Sequence, residues 1–352
     1  MKRSVLKKLV LVLIVAVLIT SALAFGCSSP SATAPGSTQA GKTVNLFFGS
    51  TASSSGFYVW SVAVARVVNK YAPGVNITVV ESGATYDNMR KIKEGTFDGG
   101  LGEGWNGGYE LYRGVETFDK APWDQIRFFF MRDVSSNRTY VRANSGIKTW
   151  ADLKGKKINP GIPGSAAVVR VQRANELLST GANIVPGNMD EGLKDLQTGK
   201  IDALYKSGPV NDFDPAMVAA HMTTPLTVIG FSDSEAEKLI AKYPQFMVTK
   251  TAPGTIKSQP GHGPLWEIYA VGGAHTSARL SEDISYKIVK ALYEHWNEVK
   301  QAYPATDNTI SDYVKLVPPG LEVPLSAGTV RYAKEAGINI PAHLIPPEYK
   351  AK

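Results

Sequence analysis

Two stretches of this chain repeat each other, and the repeat limits the fold more than any other feature of the sequence. Residues 86–101 read "YDNMRKIKEGTFDGGL" and residues 190–205 read "DEGLKDLQTGKIDALY". Each is a polar helix-like run, a glycine (Gly95, Gly199), two residues, an aspartate (Asp98, Asp202) and an apolar strand. Glycine just beyond a helix marks its C-terminal stop. The same helix-to-strand unit used twice predicts one body of two α/β lobes on a shared plan. With 43% hydrophobic residues in 352, the chain has enough apolar side chains for a packed core.

The flanking segments extend the pattern. "TVNLFFG" (43–49) alternates like a strand, and "GFYVWSVAVARVVNKYAPG" (56–74) is helical, with Val59, Val62, Ala63 and Val67 expected on the inner face. "VNITVVES" and "FDGGLGE" supply further strands, so the first lobe reads strand, helix, strand, helix, strand. A second lobe opens near "RTYVRANSGI" (138–147). Its main helix places Ala167, Val168, Val171, Ala174, Leu177 and Leu178 in an apolar stripe, with Arg170, Gln172, Arg173 and Glu176 opposite and Gly181 beyond the end. The stretch from Pro253 through "TIKSQPGHGPLW" is loop-rich, and "EIYAVGGAH" is a strand. "SEDISYKIVKALYEHWNEVKQAYP" (281–304) is expected as one long helix burying Ile284, Ile288, Ala291, Leu292, Trp296 and Val299. The expected boundaries are 42–139 with 265–352 for lobe one and 140–264 for lobe two.

The N-terminal 26 residues have a basic start, an apolar run from Leu9 to Ile19 and then small residues, the layout of a secretory signal peptide. The run falls short of the roughly 18 apolar residues that a membrane span needs, although Thr20–Gly26 could extend it into an uncleaved anchor. The single cysteine, Cys27, closes "AFGC", which resembles a bacterial lipobox and predicts a lipidated N-terminus. Residues 27–41, rich in Ser, Pro, Ala and Gly, read as a flexible tether. The protein is thus expected to be extracytoplasmic and held to a membrane by lipid. The formal charge of +7 includes Lys2, Arg3, Lys7 and Lys8, so without residues 1–26 it is +3. Nucleic acid is not an expected partner.

Catalytic patterns are missing from the sequence. It contains no P-loop ending in Lys-Ser/Thr, no Gly-x-Ser-x-Gly elbow and no zinc-protease helix. The five histidines (His221, His262, His275, His295, His343) have no metal-ligand spacing. Asp98 and Asp202 read as strand-edge or capping groups. No catalytic residue, cofactor or metal is expected, and the chain is read as a non-enzyme.

Binding signals are present. Three loops rich in Gly and Ser precede helices: "GSTASSSGFYVW", "ESGATYDN" and "PGIPGSAAV". Helix N-termini leave N–H groups unpaired and carry partial positive charge, which suits a carboxylate or phosphate. Ser53, Ser54 and Ser55 are candidate hydroxyl donors, with helix capping as the alternative. Tyr58 is either a ligand contact or core. Gly164, Ser165 and Ala166 offer backbone amides. Trp105 walls the site or fills the core. Glu103 would favour an ammonium group on the ligand, or pair with Lys206. Lys206 would bind a carboxylate, or remain solvated.

Six blocks in order along residues 43–338 resemble the TAXI family of extracytoplasmic solute receptors of TRAP transporters: "GSTASSSGFYVW", "SGATYDNM", "GTFDGG", "SGIKTWADLKGKKINPGIPGSAA", "GKIDALYKSGP" and "GLEVPLSAGTVRYAKEAG". Ala84 stands where the family has a glycine, and Ser326 where it usually has histidine. The resemblance implies a bilobed type II periplasmic-binding-protein fold with a ligand cleft between two α/β lobes. It adds Thr85 and Asn88 to the candidate contacts. It implies a small organic anion as ligand, a glutamate-like amino acid or dicarboxylate, and a TRAP-type membrane permease as partner. A sensor component or adhesin on the same scaffold, or an enzyme using the cleft, are the alternatives.

Overall fold

The structure, a computed structural model, describes residues 43–350 apart from 305, 307, 308 and 318, and of Glu103 only the backbone. The expected signal peptide (1–26), Cys27 and the expected tether (27–41) lie outside the described residues. The first half runs β1 (Val44–Gly49), α1 (Gly56–Tyr71), β2 (Val75–Val80), α2 (Thr85–Glu94), β3 (Gly99–Gly104) and α3 (Trp105–Arg113). β1 pairs in parallel with β2 and with β3. A 17-residue strand, β4 (Ile126–Arg142), leads away. The second half runs β5 (Lys157–Asn159), α4 (Ala166–Leu177), β6 (Asn183–Ile184), α5 (Met189–Thr198) and β7 (Ala203–Pro209), where β5 pairs in parallel with β6 and with β7. α6 (Pro215–His221), β8 (Leu226–Ile229), α7 (Asp233–Lys242) and β9 (Val248–Thr251) complete it. β10 (Leu265–Ser277) returns to the first half, where α8 (Glu282–Glu294), α9 (Trp296–Ala302), α10 (Ile310–Leu316) and α11 (Ala327–Glu335) close the fold.

The strand order is β2-β1-β3-β10-β4-β7-β5-β6. Exchanging β1–β3 with β5–β7, and β10 with β4, reverses this order onto itself. Each half is therefore a parallel trio bordered by one antiparallel long strand, β10 on β3 and β4 on β7. The long strands pair with each other and carry the chain between the halves. This is a two-lobed α/β fold of the type II periplasmic-binding-protein class.

The sequence repeat has a structural cause. Gly95 and Gly199 are the left-handed C-caps of α2 and α5, with φ of 84° and 82°. Three residues later, Asp98 exchanges hydrogen bonds with Phe47 of β1: its amide donates to the Phe47 carbonyl and its carboxylate accepts from the Phe47 amide at 2.8 Å. Asp202 makes the same reciprocal pair with Lys157 of β5, the carboxylate accepting at 2.9 Å. One device thus registers the third strand on the first in both halves.

Packing follows the division. One cluster joins Phe48, Trp60, Met89, Phe129, Val271 and Leu292 in the first half. The second half has a cluster on each side of its sheet. Tyr140 and Leu204 go to one, and Val141 and Tyr205 to the other, because successive strand residues face opposite ways.

Several expectations need correction. α1 buries Trp60, Ala63, Val64, Val67 and Val68, a complete helical stripe, while Val59 and Val62 are 49% and 45% exposed. Apolar residues lie all round this helix, and the bulk of Trp60 decides which side turns inward. The run from 281 breaks at His295 into α8 and α9. No glycine or proline announces the break. There the His295 ring stacks on Tyr71 with centroids 3.5 Å apart. Finally, Arg170 and Arg173, expected on the polar face of α4, are both buried.

Candidate functional site

The three loops follow the C-terminal ends of β1, β2 and β5, and the fold's internal symmetry supplies a fourth after β6 that sequence reading overlooked, residues 185–188. The loops of opposite halves touch. The Tyr86 amide donates to the Gly164 carbonyl at 3.0 Å. The Asn188 side-chain amide donates to Ser54 Oγ at 3.4 Å. Gly164 has φ of 86°, and a Cβ there would lie 2.7 Å from the Gly83 carbonyl oxygen. Ala84, at φ 65° and ψ −152°, holds a conformation natural to glycine.

The other predicted residues fall into two groups. Ser55 and Ser165 cap α1 and α4, accepting from Phe57 N and Val168 N. The Ser53 amide donates to Glu81 at 2.9 Å. Tyr58 is half-buried at the start of α1, and Ala166 is buried at the start of α4. Asn88 is buried and donates to the Ser50 carbonyl at 2.8 Å, bracing the first loop from α2. Thr85 Oγ1 accepts from the Gly104 amide at 3.4 Å, tying the second loop to the end of β3. Trp105 is fully buried and packs on Tyr109. The Glu103 side chain lies outside the described residues. Lys206 pairs with Asp214 at 3.6 Å, so it is not simply solvated.

Between α3 of the first half and α4 of the second lies a buried polar network that the sequence reading missed. Arg173 of α4 donates to both Glu110 carboxylate oxygens, at 2.6 and 3.1 Å, across the junction of the halves. Burial alone would lower the Arg173 pKa, but the hydrogen bonds it donates to Glu110 hold it above the usual arginine value. Tyr86 OH also donates to Glu110, at 2.9 Å. Burial and the adjacent carboxylate push the tyrosine pKa up, so it remains a donor. Arg170, one helical turn ahead of Arg173, donates to Asn106 Oδ1 at 2.8 Å and to Asn137 Oδ1 at 3.4 Å.

Charge pairing separates Arg170 from its neighbours. Among the described residues, Arg127, Arg132, Arg138 and Arg173 are buried beside Glu348, Asp133, Glu267 and Glu110 respectively. Arg170 is 4% exposed, and among the described residues it has only neutral amides as partners and leaves its Nε without a hydrogen bond. Tyr205 OH is also buried and unpartnered; burial raises its pKa, opposed by nearby Arg170. The sequence held one clue to these arginines. They sit three apart on the helix that follows the Gly-Ser loop, but arginine on an amphipathic helix reads as solvent-facing. Among the described residues, no cluster of three or more His, Cys, Asp or Glu is placed to hold a metal ion, and no helix is long and apolar enough to cross a membrane.

Solved structures similar to this chain include the arginine-, lysine-, histidine-binding protein ArtJ from Geobacillus stearothermophilus, at 15% identity over 77% of this chain and 100% of that one, with a TM-score of 0.47. A substrate-binding protein of an ABC uptake transporter from Streptococcus pneumoniae with bound histidine matches at 13% identity over 76% and 94%, TM-score 0.46. An ancestral arginine-binding protein bound to arginine matches at 17% identity over 75% and 98%, TM-score 0.45. A family model described as NMT1-like matches residues 48–337, which takes in every loop and arginine described above. The chain therefore belongs to the NMT1-like family.

Proposed function

We propose that this protein is a lipid-anchored, extracytoplasmic solute-binding receptor that captures a small organic anion between its halves and delivers it to a TRAP-type membrane permease. Arg170 carries the reading. A buried guanidinium without a carboxylate costs several kcal/mol of desolvation, and an anionic solute would supply the missing partner. Ala166 opens the helix that bears Arg170, and that N-terminus adds a favourable dipole, while the Ser165 amide is already bonded to the Ile162 carbonyl at 3.2 Å. The lobes are taken as 42–139 with 265–352, and 140–264, hinged where β4 and β10 cross. Solute contacts made to both halves only when they close would bias that equilibrium. No reaction is assigned to the site.

Thermal-shift screening of the detergent-purified full chain against small carboxylic acids, followed by calorimetry on the hits, tests the reading. A saturable acid ligand whose binding is lost in Arg170→Met is expected; if no acid binds, or if binding is indifferent to Arg170, the proposal fails. Incorporation of labelled fatty acid, lost in Cys27→Ala, tests the anchor. Solute uptake by vesicles that need both this chain and a TRAP permease tests the partner.

A further inference from the structure

We infer that the solute is a monocarboxylate whose remaining groups are polar but uncharged. The inference rests on the receptor reading above and refines its ligand. It comes from the balance of buried charge. Four of the five buried arginines are already neutralised by Glu348, Asp133, Glu267 and Glu110, so Arg170 is the one free buried positive charge among the described residues. One carboxylate completes the balance. A second carboxylate on the solute would have to take an arginine from an existing pair, leaving that partner's carboxylate buried and alone, a strongly unfavourable exchange. An ammonium group meets the converse difficulty. Each buried carboxylate among the described residues (Glu110, Asp133, Glu267) already has its arginine.

Among the described residues, the groups that flank Arg170 are neutral and able to hydrogen bond. Asn106 and Asn137 flank it, Ser207 donates to Asn137 Oδ1 at 2.7 Å, and the buried Tyr205 hydroxyl has no partner. Such groups suit a hydroxyl or carbonyl on the solute and reward neither a second negative charge nor a positive one. The glutamate-like or dicarboxylic solute that the family resemblance implies is the wrong charge type for this arrangement.

A matched five-carbon series decides between these chemistries: 2-hydroxypentanoate, 2-hydroxyglutarate, norvaline and glutamate, each titrated calorimetrically into the full chain and into Arg170→Met. The expected result is that 2-hydroxypentanoate binds at least about tenfold more tightly than the other three, and that Arg170→Met abolishes this binding. A tenfold margin corresponds to about 1.4 kcal/mol. Equal or tighter binding of 2-hydroxyglutarate overturns the single-charge inference and leaves the receptor reading standing. Tighter binding of norvaline or glutamate, lost in Glu103→Gln, also overturns it, by showing that Glu103 supplies a carboxylate for an ammonium. Binding of none of the four counts against both readings. Binding that survives in Arg170→Met removes Arg170 from the site and overturns the inference with it.

Discussion

The amide of Tyr86 donates to the carbonyl of Gly164 at 3.0 Å, a backbone hydrogen bond that fastens the first turn of α2 in one half to a loop of the other. Glycine at 164 is required twice over, by its φ of 86° and by the Gly83 carbonyl 2.7 Å from where a Cβ would stand. The obstacle is backbone and cannot swing aside. Gly164→Ala is expected to weaken solute binding by tenfold or more, from about 1–2 kcal/mol of backbone strain plus the clash. Ala84→Gly, which removes strain at φ 65°, should raise stability by about 1 kcal/mol. Calorimetric affinities and melting temperatures of both variants check this. An unchanged affinity in Gly164→Ala would separate the loop contact from binding.

The two interior arginines Arg138 and Arg170 should respond oppositely to the same substitution. Arg138 donates to Glu267 at 2.8 Å and to the carbonyls of Pro209, Val210 and Asp212. Arg138→Met strands Glu267 and is expected to cost about 3–5 kcal/mol. Arg170→Met strands no charge and relieves the desolvation of a cation without a carboxylate, so it should raise stability, by about 1 kcal/mol or more, while it abolishes solute binding. Urea unfolding of the two variants gives both numbers. A loss at Arg170 as large as at Arg138 would mean that Arg170 is a structural cation.

The alternation of strands and helices, the paired lobes and the three loops were legible because backbone chemistry writes them locally: glycine stops, capping serines and period-two strands. The 17-residue strand β4 was not read as one element, since its "IRFFFMRDVSSNRTYVR" lies between two halves and shows no clean alternation. Glu110, Asn106, Arg170 and Arg173 were missed for a different reason. Each is polar on a helix, and only the approach of the opposite half turns that face inward. The site network depends on contacts between residues about 60 apart, such as Glu110 with Arg173, and no local pattern encodes them.

Asp98 and Asp202 are symmetry-related in the fold and should be so in energy. Each carboxylate accepts one strand amide, from Phe47 at 2.8 Å and from Lys157 at 2.9 Å. Asp98→Ala and Asp202→Ala are each expected to destabilise by about 1–2 kcal/mol. They share no partner, so the double variant should equal the sum within about 0.5 kcal/mol. Chemical denaturation of the four proteins tests this. A large effect at one position and none at the other would show that the repeated sequence no longer does the same work in both halves.

Asp87 ties the second loop to its helix and makes that tie sensitive to acid. Its carboxylate accepts from the Gly83 amide at 2.9 Å and from Lys91 Nζ at 2.8 Å. Partial burial raises its pKa, but the bonds from Lys91 and Gly83 outweigh burial and hold it below the ordinary aspartate value. A carboxylate with a depressed folded pKa binds its proton less readily folded than unfolded. Its stabilising contribution is therefore complete above the unfolded pKa, near pH 4, and disappears as pH falls through the folded value. With the side chain 29% exposed, solvent screening limits that contribution to about 1 kcal/mol or less. Asp87→Asn mimics the protonated group. The melting-temperature gap between wild type and this variant should be constant from about pH 7 to pH 5 and should close below about pH 4. A gap that persists or widens in acid would show that the Asp87 charge does not hold Gly83, and the Gly83–Gly164 contact would then owe nothing to it.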